Sequence, residues 1–309
     1  MNLTDINNDY IVSIINENIK KDENAVIKYA EDHYSYLIKK VVKNIKKCPI
    51  VLLSGPSASG KTTTAYNIRD KFIKKGVNAY VLSFDNFYKN RDQLPIEDGK
   101  PNPELIEALE LDLIDVVFNQ LLENGKAMMP KYDFVTGTRM DYSIPLDIGK
   151  TGVIIAEGIH ALNPIVSDML PKEKIYKIYV SPHSNFIQGE KSILTKRETR
   201  FLRRMVRDHW ARGSSPENTF EMWQKVCEGE DKYIRPLQDT ADFKINTTHA
   251  YEINIIKDLA MVLLKSIDKN SKYFNETSLL SNKLVHFTTL NSINFPTSSM
   301  LREFTGEEI

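Results

Sequence analysis

The residues best placed to do chemistry lie in "VLLSGPSASGKTTTAYNIRD", Val51 to Asp70. Gly55, Pro56, Ser57, Ala58, Ser59, Gly60, Lys61 and Thr62 fit G-x-x-x-x-G-K-[ST] in full, and Thr63 extends the run. An apolar stretch precedes them and a helical pattern follows, which is the setting this motif needs. The chemistry implied is phosphate binding. Gly55 and Gly60 are expected to adopt dihedrals closed to other residues, so that successive N–H groups turn inward onto phosphate oxygens. A helix starting near Lys61 adds its positive dipole end. Lys61 is expected to reach the β- and γ-phosphates of a nucleoside triphosphate, and the Thr62 hydroxyl to ligate Mg²⁺. Such a loop serves transfer, hydrolysis or sensing, and alone it does not choose among them.

Three further features bear on that choice. Asp85, in "SFDNFY", stands at the carboxyl end of a predicted strand. Ligands of open parallel sheets lie beyond such ends. A carboxylate there can take the proton of an attacking hydroxyl, or simply cap a turn. Glu157 ends the apolar run in "VIIAEGIHAL", where phosphate-loop proteins place an acid that helps hold Mg²⁺. The third feature is arginine. The chain has 11 arginines against 30 lysines, and six fall between Arg197 and Arg212. Arg200, Arg204 and Arg207 share a helical face by spacing. Planar, permanently charged arginine suits phosphate. The plainer alternative is a solvated face paired with Glu198 and Asp208.

These groups need a frame. Short apolar strands alternate with helices: "PIVLLSG", "NAYVLSFDNFY", "GVIIAEGIHAL", "KIYKIYVSP" and "ADFKINTT" read as strands. That alternation predicts an α/β fold, a parallel sheet covered by helices on both faces. "NPELIEALELDLIDVVFNQLLENGK" reads as a helix closed by Asn-Gly, and the arginine-rich segment as a helix ending at Gly213. Ser215 and Pro216 read as the cap and first turn of the next helix. Residues up to about Lys47 read as helical, with Val26, Tyr29, Tyr36, Leu37, Val41 and Ile45 near helical spacing. The expected organisation is a helical extension over 1–48, a phosphate-loop core over 49–267 with a lid at about 190–235, and a tail over 268–309.

Lys+Arg and Asp+Glu number 41 each. A balanced charge argues against a nucleic-acid partner. There is no run of about 18 apolar residues, so no membrane span is expected. The polar N-terminus lacks a secretory pattern. Cys48 and Cys227 stand far apart and read as reduced thiols, so the expected location is cytoplasmic.

Five motifs in order, "GPSASGKTT", "SFDNFY", "PKYDFVTGTR", "EGIHAL" and "RRMVRDHWARG", carry a resemblance. Over about Pro49 to Leu264 the chain resembles the uridine–cytidine kinases, within the broader set that includes phosphoribulokinase and bacterial pantothenate kinase. The later "GEDKYIRPLQDTADFKINTT" and "SSMLREFTG" resemble a bacterial nucleoside kinase branch. The resemblance implies a P-loop NTPase fold using ATP and Mg²⁺, with a nucleoside as the acceptor of the γ-phosphoryl group. It implies Asp85 as base for the ribose 5′-hydroxyl, and Arg207 and Arg212 as arginines over the phosphates. Tyr88, Tyr132, Arg139 and Arg204 fall on the nucleoside side, with Glu104 more loosely aligned as the ribose acid. It also implies a homo-oligomer. Two positions depart from the family: Gly137 replaces a base-reading histidine, and Ser214 replaces an arginine. The resemblance makes uridine or cytidine the first expectation, but both departures fall on the acceptor side, so a purine nucleoside, a broader nucleoside range or another small hydroxyl compound (pantothenate-like or a sugar phosphate) stays open. A triphosphate-dependent switch or a hydrolase is the competing class. Asn-Lys-x-Asp, expected of a guanine-reading switch, is absent. The E-x-E-x-K spelled by Glu228, Glu230 and Lys232 lies at a helix end, unlike its place in tunnel-type triphosphatases.

Overall fold

The computed structural model describes residues 1–45, 48–140, 143–290 and 295–305. Lys46 and Lys47, at the expected end of the N-terminal extension, and Gly306, in the family-like ending, lie outside the described residues. In chain order the main elements are α1 (Val12–Lys21), α2 (Glu23–Asn44), β1 (Ile50–Ser54), α3 (Lys61–Ile73), β2 (Ala79–Ser83), α4 (Leu111–Asn124), β3 (Val153–Glu157), β4 (Ile175–Ser181), α5 (Lys196–Arg212), α6 (Pro216–Gly229), β5 (Phe243–Asn246), α7 (Glu252–Lys265) and α8 (Phe274–Leu284).

The five strands form one sheet in the order β5-β4-β1-β3-β2, and every neighbouring pair is parallel. β1 and β3 are buried along their whole length. That is why they read as unbroken apolar runs. One apolar cluster joins one face of the sheet to α1, α2, α3, α5, α7 and α8. A second joins the other face to α4. The expected covered parallel sheet is therefore the observed one. The chain reverses direction around β1, so the crevice beyond its carboxyl end is where a ligand of this sheet belongs.

Local expectations hold at the caps. Gly125 and Gly213 close α4 and α5 in the left-handed conformation, as helix-ending glycines do. Ser215 caps α6 with Pro216 in its first turn. Others need correction. The helix expected from Asn102 onward starts only at Leu111, after a short 3₁₀ turn over Ile106–Ala108. The first nine residues are not helical, and Tyr10–Ile11 adds a short parallel strand to Phe186–Gln188. In α2, Tyr29 and Tyr36 are exposed, and the buried face is carried by Val26, Ile27, Ala30, Tyr34, Ile38 and Val41. Tyrosine tolerates either side of a helix, so spacing rotated the face. No helix among the described residues is long and apolar enough to cross a membrane.

Residues beyond Asp268 read as a polar, poorly periodic tail, mobile or docked, and the described ones are docked. α8 follows α7, and Phe287, Leu290, Phe295, Met300, Leu301 and Phe304 are all buried in the α-rich core. α5 is likewise built into the core: Phe201, Leu202, Met205 and Val206 are buried, and so is Arg203. Arg203 Nε donates to Glu252 Oε2 at 2.6 Å, with both side chains fully buried. Its remaining N–H groups donate to the Thr247 carbonyl at 2.8 Å and the Ala58 carbonyl at 3.3 Å. This guanidinium ties α5, the phosphate loop and α7 together. Arg203→Ala leaves Glu252 as a buried, unpaired charge and is expected to cost about 3–5 kcal/mol of stability. Urea denaturation checks this, and a wild-type midpoint would contradict it.

Candidate active site

The loop from Gly55 to Gly60 links β1 to α3. Gly60 takes φ +84° and Ala58 takes φ +57°. Gly55 is not in that region. A Cβ there would lie 1.9 Å from the Val180 carbonyl oxygen. Gly55 is thus required by closeness to β4, and the second left-handed position belongs to Ala58. This corrects the expectation that both glycines supply dihedral freedom. The loop runs into the N-terminus of α3 at Lys61, so the dipole end lies where the motif predicts.

Lys61 Nζ donates to the Pro56 carbonyl at 3.1 Å. Burial lowers its pKa, against the pull of Glu157, Asp85 and Glu303. It rests curled on its own loop, surrounded by carboxylates. Glu157 ends β3 and is buried. Thr62 Oγ1 donates to its Oε1 at a long 3.5 Å. Burial first, then the neighbouring Asp85, pushes its pKa up to about 7. Lys61 and a hydrogen bond from Ser83 oppose that rise, and a buried carboxylate with the Thr62 hydroxyl beside it offers the oxygen donors that fit Mg²⁺. The Ser59 hydroxyl is buried without a hydrogen-bond partner among the described residues, an orphan in the loop meant for phosphate. Raised above its unfolded value, the Glu157 pKa makes the metal-free fold bind a proton that the unfolded chain releases. Stability is then expected to fall as pH rises from about 4.5 to about 7, by on the order of a few kcal/mol. Glu157→Gln should flatten that slope in chelator-treated protein, and an unchanged slope would contradict it.

Asp85 lies in a 3₁₀ turn, Phe84–Phe87, directly after β2. Phe84 and Phe87 are buried and anchor the turn, so Asp85 faces the crevice and keeps contact with solvent. The alternative of a turn-capping aspartate is not what the geometry shows. Ser83 does the capping, its Oγ accepting from the Asp85 N–H at 3.4 Å. Desolvation in the cleft raises the Asp85 pKa, while Lys61, Arg212 and Arg207 lower it. β1, β2 and β3 therefore deliver Lys61, Asp85 and Glu157 to one electrostatic neighbourhood.

The six arginines divide. Arg197 pairs with Asp231 at 2.6 Å, and Arg200 with Glu230. Arg200 thus leaves the phosphate-facing group that helical spacing gave it. Arg204 Nη1 donates to Ser57 Oγ at 2.8 Å, in the loop itself. Arg204, Arg207 and Arg212 all pair with Asp208, at 3.2, 2.9 and 3.4 Å. Asp208 is buried. One carboxylate, anticipated only as a surface partner, orients three guanidiniums. Glu198 instead completes a capping box with Thr195 at the start of α5.

On the acceptor side, the Tyr88 hydroxyl donates to the Pro103 carbonyl at 3.2 Å, and its ring lies 6.0 Å from that of Tyr132. Burial raises the Glu104 pKa, Arg204 and Lys61 lower it, and Asp85 raises it further. That places the Glu104 carboxyl among the candidate catalytic groups. His160 is buried, with Nε2 2.9 Å from the Glu104 carbonyl. It is a structural histidine, holding the stretch of chain that carries Glu104. A cavity of about 150 Å³ adjoins, lined by Asn102, Glu104, Gly229 and Tyr233 among others. Arg139 pairs with Glu110 at 3.1 Å. Gly137 takes φ +74° in the Tyr132–Arg139 hairpin, and a Cβ there would lie 2.5 Å from Arg91 Nε. The Arg91 guanidinium fills the space beside Gly137. The Ser214 hydroxyl accepts from Asn218 Nδ2 at 2.8 Å. Missed from the sequence are Arg91, Glu303 and the anchoring role of Asp208. Glu303 lies in "SSMLREFTG" and Asp208 in "RRMVRDHWARG", both stretches that carry the resemblance, whereas Arg91 lies in neither.

A sequence profile of the phosphoribulokinase / uridine kinase family matches residues 50–254. A uridine kinase from Staphylococcus aureus is 32% identical over 205 residues, covering 65% of this chain and 88% of that protein. A uridine kinase from Lactobacillus johnsonii is 28% identical over 224 residues, covering 72% and 96%. Among solved structures, a kinase from Silicibacter sp. ascribed to a fructose transport system superposes with a TM-score of 0.50 at 16% identity, covering 69% of this chain and 98% of that one. That last likeness concerns the fold. The matched span runs from β1 into α7 and includes Lys61, Asp85, Glu157 and the arginines of α5. With the phosphate loop, the β2 and β3 acids and that profile in agreement, the chain belongs to the phosphoribulokinase / uridine kinase family of P-loop kinases.

Proposed function

We propose that the protein transfers the γ-phosphoryl group of ATP to the 5′-hydroxyl of a nucleoside, with uridine or cytidine as acceptor. The observation that carries this is the convergence of Lys61, Asp85 and Glu157 at the ends of three adjacent strands, with Arg204 already on the phosphate loop. The uridine kinase relatives point to the acceptor class.

Each residue has a task. Loop N–H groups and the start of α3 hold the phosphates. Lys61 leaves the Pro56 carbonyl to neutralise charge on the β- and γ-phosphates. Thr62 and Glu157 would hold Mg²⁺, which when bound offsets phosphate charge. Asp85 accepts the proton of the acceptor hydroxyl and aims its oxygen. Glu104 and Tyr88 contact the ribose side, and Tyr132 and Arg139 border the base. Arg207 and Arg212, held by Asp208, meet the charge that develops on the transferred group. Little covalent work is needed, so positioning and charge supply the rate. A carboxylate base could equally activate water in a hydrolase, so acceptor dependence separates the two classes. The family reading also carries homo-oligomeric assembly and a cytoplasmic location as proposals. Phosphorus NMR of a reaction with uridine and Mg·ATP tests the chemistry: ADP and the 5′-monophosphate in equal amounts are expected, and inorganic phosphate in place of the monophosphate would refute transfer.

A further inference from the structure

One carboxylate reaches the phosphate side of the site from a distant part of the chain. Glu303 belongs to the 3₁₀ turn Met300–Phe304. Its Oε2 accepts from the Thr63 hydroxyl at 3.0 Å, and its Oε1 from Arg207 Nη1 at 3.3 Å. Its charge raises the pKa of Lys61 and of Glu157, so it shares their surroundings.

The turn is clamped in place. Met300, Leu301 and Phe304 are fully buried. The Met300 thioether occupies the space that a side chain at Gly60 would take. The Arg203 guanidinium lies 5.0 Å from the centre of the Phe304 ring. Ser299 Oγ accepts from the Leu301 N–H at 3.2 Å and donates to Glu31 at 2.5 Å.

A carboxylate among phosphate donors could either block phosphate or set the donors for it. The clamp favours the second role. A blocking group must leave when phosphate arrives, and three buried apolar side chains oppose that. The hydrogen bonds of Arg207 agree. Its Nε donates to Asp208 and its Nη1 to Glu303, while Nη2 has no protein partner among the described residues. Two carboxylates fix the guanidinium plane and leave one edge for a ligand.

We propose that Glu303 is a positioning residue for phosphoryl transfer: it fixes Arg207 so that the guanidinium's open edge faces the transferring group, and the C-terminal turn is thereby part of the active site. This rests on the kinase reading. The wild-type rate tests that reading, and the ratio of variant to wild type tests Glu303, so the two fail separately.

The experiment uses the full chain as wild type, Glu303→Gln, Arg207→Ala and the double variant. It measures kcat with the best nucleoside acceptor, counted per ATP site by calorimetry so that unfolded chains do not enter. Glu303→Gln is expected to lower kcat about ten- to a hundredfold, as misplacement of a catalytic group does. The acceptor KM and the melting temperature should hold. In the Arg207→Ala background the same change should cost nothing further, because it acts through a side chain already removed. An unchanged kcat, or an equal further loss without Arg207, would overturn the inference. So would tighter ATP binding with kcat kept or raised, which would make Glu303 a blocking group.

Discussion

Asp85→Asn is expected to lower kcat by a factor of about 10²–10⁴, the range a positioned general base contributes. Asparagine keeps the size and the place on the 3₁₀ turn, which Ser83 and the buried Phe84 and Phe87 hold independently. What is lost is the ability to take a proton from the acceptor hydroxyl. ATP affinity should stay within a few-fold, since the phosphate contacts come from β1, α3 and α5. The charge change has a second signature. Asp85 is the largest charge raising the Glu157 pKa, so its removal should shift the Glu157 titration towards the ordinary carboxylate range. Steady-state kinetics with calorimetric ATP binding separate these effects. Near-normal turnover in Asp85→Asn would remove Asp85 as the base.

Lys61→Ala should damage the other half of the reaction. It removes the loop ammonium that Glu157 and Asp85 favour and burial opposes. Removing a charge that stabilises the transferring group in a water-poor site costs about 10²–10³ in kcat. ATP binding should weaken as well, whatever acceptor is present, because the lysine contacts the donor alone. An unchanged ATP dependence would refute the phosphate assignment. The two variants should thus separate cleanly: Asp85→Asn acts on turnover, Lys61→Ala on turnover and nucleotide together.

Much of this site is legible in the sequence where its physics is local. The phosphate loop is a run of eight residues whose backbone geometry dictates residue type. Asp85 and Glu157 stand at strand ends, and apolar runs such as Ile50–Ser54 announce those ends because both faces are buried. What stayed hidden depends on distant contacts or on rotation. Arg203 and Arg204 are adjacent, yet one is sealed against Glu252 and the other touches Ser57. No local pattern tells them apart. Asp208 looks like an ordinary helical salt-bridge partner, and only its burial makes it the anchor of three arginines. Glu303 meets Thr63 across 240 residues of chain. At Gly55 the motif suggests a dihedral reason, whereas the closeness of the Val180 carbonyl is what requires glycine. At Gly137 the departure from the family pattern was visible, but the Arg91 guanidinium beside it was not.

Acceptor dependence tests the central claim most directly. Purified protein with Mg·ATP would be assayed for ADP formation alone and with uridine, cytidine, adenosine, guanosine, inosine, pantothenate and ribulose 5-phosphate. The site predicts little ADP without an acceptor and strong stimulation by a nucleoside, uridine or cytidine first, because Asp85 has a proton to take only when a hydroxyl is presented. ADP formation at one rate whatever is added would contradict the assignment of this chain as a nucleoside kinase.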